Sequence, residues 1–219
     1  MELKKSIIVG AFLVCSYHAN AQRNYDGYNF MGITGGITFF GIHTDDFVSK
    51  SGQGLIGGFT ARGAFRNNFD LIYGINFHQS QLTIEGKSDL LSDVQEIGYT
   101  VQGVQINFFG SYNIITKHIS LEFGPILNVN GKMKLDSSQF EDYLIDDQPV
   151  ISAKEIEDIS VLELRVLGGV TLGLEHFRLS AHYQYGLTNI LGGLNNKELG
   201  KDDFKGNSAT IILAAVVYF

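Results

Sequence analysis

Residues 207–219 read "NSATIILAAVVYF", an unbroken apolar and β-prone segment that closes on Phe219. Chain ends of water-soluble proteins usually fray into polar tails, so this terminus demands an explanation. As a strand, it puts Ile211, Leu213, Ala215, Val217 and Phe219 on one face, and Ser208, Thr210, Ile212, Ala214, Val216 and Tyr218 on the other. Left uncovered, such an edge is an aggregation hazard. As the closing strand of a barrel it has no free edge, and its odd face can meet lipid. Reading outward from this strand, the question is whether seven partners precede it.

They do. Seven earlier stretches alternate apolar and polar residues with the period-two signature of half-buried strands. They start near Met31, Leu55, Phe69, Val104, Ile119, Leu162 and Phe177. In the third, Phe69, Leu71, Tyr73, Ile75 and Phe77 oppose Asp70, Asn76 and His78. In the fourth, Val104, Ile106, Phe108 and Tyr112 oppose Gln105, Asn107 and Ser111, yet upstream Tyr99 and Val101 are in the other phase. A bulge near Gly103 is expected to reconcile the two phases. Each run is about as long as the ~9–11 residues that a tilted strand needs to cross a bilayer.

The connections alternate as well. "RNN", "TK" and "EH" join runs two to three, four to five and six to seven. The remaining connections are longer, over 43–53, 86–96, 131–160 and 191–206. An up-and-down barrel then carries every tight turn on one rim and every long loop on the other. That is the layout of outer-membrane barrels, with short periplasmic turns and longer extracellular loops. The fold expected is therefore all-β: an eight-stranded antiparallel up-and-down transmembrane barrel.

A soluble eight-stranded barrel of lipocalin type would also alternate, with its apolar face inward. Composition and placement favour the membrane. The polar face is rich in small, uncharged residues instead of the dense Lys and Glu of a soluble surface. Aromatics gather near the strand ends: Phe65, Phe69, Tyr112, Phe177 and Phe219 by the tight turns, and Phe39, Phe77, Tyr99 and Tyr185 toward the long loops. These suggest two interfacial girdles. The chain has 26 Gly, 16 Phe and 10 Tyr but no Trp and only 2 Pro, a composition suited to crowded β-structure. Its net charge of −7 argues against nucleic-acid binding.

The first residues fit export. "MELKK" is basic, "SIIVGAFLVC" is apolar, and Ala19-Asn20-Ala21 forms an A-x-A cleavage pattern, so residues 1–21 are expected to be a signal peptide cut before Gln22. Residues 22–219 would then form one barrel domain. Cys15 as a lipoprotein anchor is the rival reading, disfavoured by the bulky Val14 before it. The single cysteine of the chain lies in this leader, which leaves the mature protein without disulfide, thiolate or Cys-based zinc chemistry.

The mature chain resembles the small outer-membrane β-barrel proteins of Bacteroidota, the PorT-like group. The likeness rests on the Gln after the cleavage site, on "NFMGITGGITFFGI" and "GLIGGFTARGAF", and on the final "AAVVYF". The resemblance implies an outer-membrane location and, for some members, a part in assembling or supporting type IX secretion. It carries over no functional residue. A last strand ending in Val217 and Phe219 also resembles the signal by which such barrels are handed to their assembly machinery.

Candidate chemistry is sparse. Arg62, Glu122 and His182 each lie a few residues from a tight turn and are expected at similar heights in the lumen, with Glu163 and Arg165 higher. Eight strands leave an interior wide enough only for side chains, and buried ions must pair. A structural plug with an Arg62–Glu122 contact is expected, and a polar conduit is the alternative. Loop 136–160 carries Asp136, Glu141, Asp142, Asp146, Asp147, Glu155, Glu157 and Asp158 against Lys154. Clustered carboxylates suit a hard cation, but the spacing is not that of an EF-hand, and a solvated acidic loop with some local pairing in "LIDDQPVI" is the plainer reading. His43 with Asp45 and Asp46 could orient a general base, but no nucleophile motif accompanies them. The function expected is a non-enzymatic envelope barrel without catalytic residues, cofactor or metal, embedded in outer-membrane lipids and engaging envelope proteins. The alternatives are a membrane enzyme acting on lipid or peptide at the outer rim, or a narrow conduit.

Overall fold

The computed structural model describes residues 27–219, except 90, 117, 148–149, 198 and 201 and the side chains of 146, 147 and 150. The expected signal peptide and its cleavage site lie outside the described residues. Eight antiparallel strands close into a barrel: β1 (Asn29–Thr44), β2 (Ser49–Arg66), β3 (Phe69–Gly86), β4 (Gln95–Ile115), β5 (Ile119–Leu135), β8 (Leu162–Gly173), β9 (Phe177–Gly186) and β10 (Gly206–Tyr218). A small separate hairpin, β6 (Leu144–Asp147) and β7 (Val150–Ser152), lies between β5 and β8. The last strand closes the seam. β10 pairs with β9 on one side and with β1 on the other, from Gly32↔Tyr218 to Thr44↔Gly206. Beyond the last pair, the Phe219 amide donates to the Met31 carbonyl at 2.8 Å.

Tight turns connect β2 to β3, β4 to β5 and β8 to β9 on one rim. In the first of these Asn67 sits at φ 52°, a left-handed conformation that asparagine tolerates well. On the other rim the connections are longer, as the alternation predicts. Those before β2 and β4 are shorter than the sequence suggests, because the strands invade them, whereas the one before β10 is longer, over 187–205. β2 and β3 are 18 residues each and β4 is 21, well beyond the ~9–11 that cross a bilayer. What reads as two loops over 43–53 and 86–96 shrinks to the turns 45–48 and 87–94.

The phase reversal in β4 has a different origin from the one expected. β3 and β4 pair without interruption from Phe69↔Tyr112 to Gly86↔Gln95, so Gly103 is no bulge on that side. A register shift does occur beside it, between β4 and β5 at Val101/Gly103, where β5 carries the extra residue. The odd positions of β4 point inward throughout: Ile97, Tyr99 and Val101 above, and Gln105, Asn107, Ser111 and Asn113 below, are all buried. The interior itself changes from polar to apolar. Tyr99 is accordingly fully buried, not part of an outer girdle, and its hydroxyl donates to the Ala153 carbonyl at 2.9 Å. The other girdle residues stay on the outside, with Phe65, Phe77, Tyr112, Phe177 and Phe219 all exposed.

The interior is therefore layered. Nearest the tight turns lies a charged layer. Above it Ile72, Phe109, Ile126 and Leu167 form an apolar belt, and Ile212 of β10 is buried at the same cavity. This accounts for the apolar inner positions of the last strand. A second polar layer follows, and then an apolar dome. Phe40, Ile42, Leu82, Ile84, Ile97 and Met133 from the strands pack there with side chains of both long loops, among them Ile151, Ile156, Leu191, Leu194 and Phe204. Among the described residues no helix is long and apolar enough to cross a membrane; the barrel presents strands to it.

Candidate functional site: a lumen closed at two levels

The lower charged layer follows the strand register around the barrel. Asp70 pairs with Ser111, Ser111 with Glu122, Glu122 with Gly169, and Gly169 with His182. Arg62 reaches into this row from β2. Its Nε donates to Asp70 Oδ2 at 2.7 Å, and its Nη2 to Asn113 Oδ1 at 2.8 Å and Ser120 Oγ at 3.2 Å. Tyr28 Oη and Asn113 Nδ2 also donate to Asp70 Oδ2, at 2.6 and 3.0 Å. His182 Nε2 lies 2.7 Å from Glu122 Oε2. Gly169 makes that reach possible, because a Cβ there would sit 2.6 Å from His182 Cδ2. Arg178 enters from β9 and donates through Nη2 to Ser120 Oγ at 2.8 Å.

The expected Arg62–Glu122 ion pair does not form. Arg62 takes Asp70, a diagonal neighbour across the β2–β3 hairpin, and Glu122 takes His182. Ser111 stands between the two pairs and donates to Glu122 Oε1 at 3.2 Å. Asp70 and Arg178, both on the polar face of their strands, join the network beside the expected charges. Asp70 immediately follows a tight turn, where charge is ordinarily solvated; only the closed ring turns it inward.

The upper polar layer holds the other two expected charges. Glu163 and Arg165 are two residues apart on one face of β8, and both are essentially without exposure. Arg165 grips Glu163 Oε2 through Nε at 2.9 Å and Nη2 at 2.6 Å. Ser208 donates to Glu163 Oε1. Asn130 Nδ2 adds a bond to Glu163 at 3.3 Å, and Asn128 bonds Asn130 and contacts His78 Nε2 at 2.9 Å. Gln105 and Gln184 exchange reciprocal amide bonds across the lumen at 3.0 and 3.3 Å. The Arg165 guanidinium lies 5.8 Å from the Phe40 ring centre, a cation–π contact at the floor of the dome.

Between the two layers the remaining cavity is about 50 Å³, room for only a few waters. Above it the dome is pinned by polar contacts at its edges. Asn189 Oδ1 accepts from the Leu191 and Gly206 amides at 3.0 and 2.9 Å, and its Nδ2 donates to the Phe204 carbonyl at 2.7 Å. Burial in the dome, with Glu157 nearby, pushes the Tyr99 hydroxyl above its ordinary range.

The acidic loop is docked onto this dome. Asp158 bridges Lys132 of β5, at 2.7 Å, and Lys197 of the 187–205 loop. Hydrogen bonds from the two ammonium groups hold its carboxyl below the usual range. Glu157 accepts from the Leu135 amide at 3.1 Å, and Glu141 pairs with Lys154 at 2.7 Å. Among the described residues, no three metal-ligating side chains come together. At the 45–48 turn, Asp46 accepts from the Lys205 amide at 2.8 Å, a bond that joins two loops, while His43 and Asp45 are exposed.

The chain matches the family described as "Outer membrane protein beta-barrel domain" over residues 17–192. It belongs to that family and resides in the outer membrane. No curated protein matches the sequence. Similar solved structures include Neisserial surface protein A, at 12% identity and TM-score 0.49, covering 86% of this chain and 97% of that one. Ail, the attachment invasion locus protein of Yersinia pestis, solved with a heparin analogue, is 16% identical with TM-score 0.49, covering 87% of this chain and 99% of that one. The outer membrane enzyme PagL is 11% identical with TM-score 0.40, covering 87% of this chain and 99% of that one.

Proposed function

We propose that this protein is a non-enzymatic outer-membrane barrel that serves as a structural and interaction component of the envelope, in the manner of the PorT-like group, some of whose members support type IX secretion. The observation that carries the reading is the closed interior. Two hydrogen-bonded polar layers and an apolar dome fill the lumen, which leaves the outer surfaces to do the work and disfavours a conduit. Among the described residues no hydrogen bond links His43 to Asp45, and the Thr44 hydroxyl between them is committed to the Lys205 carbonyl at 2.7 Å, so the geometry does not favour catalysis at that rim.

Among the described residues the outer rim exposes several apolar side chains, Leu91 most of all. Leu91 is 98% exposed at the tip of the 87–94 turn. Its turn is braced by Asp89, which accepts from the Leu91 amide and the Ser92 hydroxyl, both at 2.8 Å. A photocrosslinker at position 91 in native membranes is expected to give a discrete product with an envelope protein that a crosslinker at Tyr73, on the lipid wall, does not. A barrel that elutes alone, with no product specific to position 91, would overturn the reading. The exposed Val217 and Phe219 side chains form the proposed signal for the assembly machinery. Deleting Phe219 is expected to lower the amount of folded protein in the membrane; wild-type levels of the truncated protein would count against that role.

A further inference from the structure

On the outside of the barrel, where the lipid wall gives way to water-facing strand, β1 to β5 leave an open groove of about 1060 Å³. That volume is in the range of ligand sites. Its lower side is apolar and outward-facing, with Leu55 at 67% and Phe77 at 59% exposed. Its upper side carries four exposed amides: Gln53, Gln79, Gln81 and Gln102. Both register shifts of the upper wall occur here, at Ser51/Gly54 between β2 and β3 and at Val101/Gly103 between β4 and β5. Bulges bend and twist a sheet locally, and outward-facing Gly57 and Gly131 keep the floor of the groove low.

We propose that this groove seats one lipid of the outer leaflet with a neutral, sugar-bearing headgroup. The acyl chains lie against Leu55 and Phe77, and the headgroup hydroxyls bond to the four amides. Position and charge both lead to this occupant. The groove is continuous with the lipid-facing wall and straddles its upper edge, so an amphipathic molecule spans it in register with the bilayer. Among the described residues, no Lys, Arg, Asp or Glu lines it. A phosphate headgroup would call for charge-assisted donors, and two ammonium groups on the flanking strands, Lys50 and Lys132, are already engaged. Lys50 pairs with Glu85 at 2.9 Å and Glu96 at 2.6 Å, and Lys132 pairs with Asp158. Amides offer donors and acceptors together, which matches sugar hydroxyls. Gln102 Nε2 donates to Gln79 Oε1 at 3.0 Å, which orients that pair along the wall.

The test is native mass spectrometry of the purified barrel, released from neutral detergent after exposure to equal amounts of monoglucosyl diacylglycerol and phosphatidylglycerol with identical acyl chains. The expected result is a single bound glucosyl lipid, favoured about tenfold, as one or two net hydrogen bonds would give. Gly57→Phe fills the groove. A Cβ at Gly57 meets only the Thr34 carbonyl, at 3.5 Å, so the strand accepts it. This variant is expected to lose the bound lipid. Gly168→Phe, on the outer face of β8 away from the groove, where a Cβ meets open space, is expected to keep it. The double variant Gln79→Leu with Gln102→Leu is expected to hold both lipids without preference, and heat-modifiable migration on gels reports that each variant is folded. Equal retention of the two lipids by the native protein overturns the proposal, as does a preference for phosphatidylglycerol. A Gly57→Phe variant indistinguishable from Gly168→Phe also overturns it. A native dimer that Gly57→Phe converts to monomer would assign the groove to a second copy of the chain instead.

Discussion

Two halves of one strand behave in opposite ways. From Phe69 to His78, β3 turns apolar residues outward and Asp70, Asn76 and His78 inward; from Gln79 to Glu85 it turns Gln79, Gln81 and Glu85 outward and Leu82 and Ile84 inward. β4 does the same, from Phe108 out and Asn107 in below to Thr100 out and Tyr99 in above. The backbone passes through without changing phase between these two strands. What changes is the solvent. Below the switch the outside is hydrocarbon, so burying polarity in the lumen costs little that pairing cannot offset. Above it the outside is water, and the ordinary rule of an apolar interior returns. The lower half is held by directional, paired charge; the dome is held by apolar burial.

This contrast can be broken at either end. The largest effect is expected from Asp70→Ala, which strands the buried Arg62 guanidinium. Removing one partner of a buried pair costs about 3–5 kcal/mol, read as a fall in the urea midpoint of the barrel in lipid vesicles. Replacing both, as Arg62→Met with Asp70→Leu, is expected to restore most of the loss. If Asp70→Ala is silent, paired charge does not hold the lower half.

Next is Leu194→Ala, which opens a cavity in the dome and costs about 2–5 kcal/mol locally. Its expected signature is faster amide exchange in 136–160 and 187–205, with little change along the lipid-facing parts of β3 and β4. Equal loss of protection in both halves would mean that dome and barrel form one cooperative unit.

The smallest effect belongs to Asp158, which links the docked loops from a partly exposed position. Its carboxyl is held below the ordinary value of 3.8, so its contribution is fully present above that value and is lost as pH falls through the lower, folded one. The contribution is expected to be within about 1 kcal/mol, as for exposed ion pairs. Loop amide exchange, corrected for its intrinsic pH dependence, should rise on acidification below about pH 4 in the native protein and not in Asp158→Asn, already loosened at neutral pH.

Much of the architecture is legible in the residues because a strand facing two different solvents must alternate. Strand number, direction, the outward face of β10 and the inward set of Arg62, Glu122, Glu163, Arg165 and His182 follow from that alternation and from turn spacing. Partner choice does not. Glu122 meets His182 because Gly169 lies between them on the ring, and Arg62 meets Asp70 because a hairpin sets them diagonally opposite; neither relation is a spacing along the chain. Tyr99 and Val101 carried the signal of the dome, since their reversed polarity marks where water replaces lipid, but one strand cannot say whether its phase or its surroundings have changed.

The sequence by itself determined that this chain closes a barrel through its last strand and presents that strand's odd face to lipid, because period-two polarity encodes which solvent each face meets. Only the tertiary structure decided which charges pair, that the loops descend to form a dome, and that a groove opens at the edge of the lipid wall. Those outcomes depend on shear, bulges and ring closure, which bring together residues that no local pattern relates.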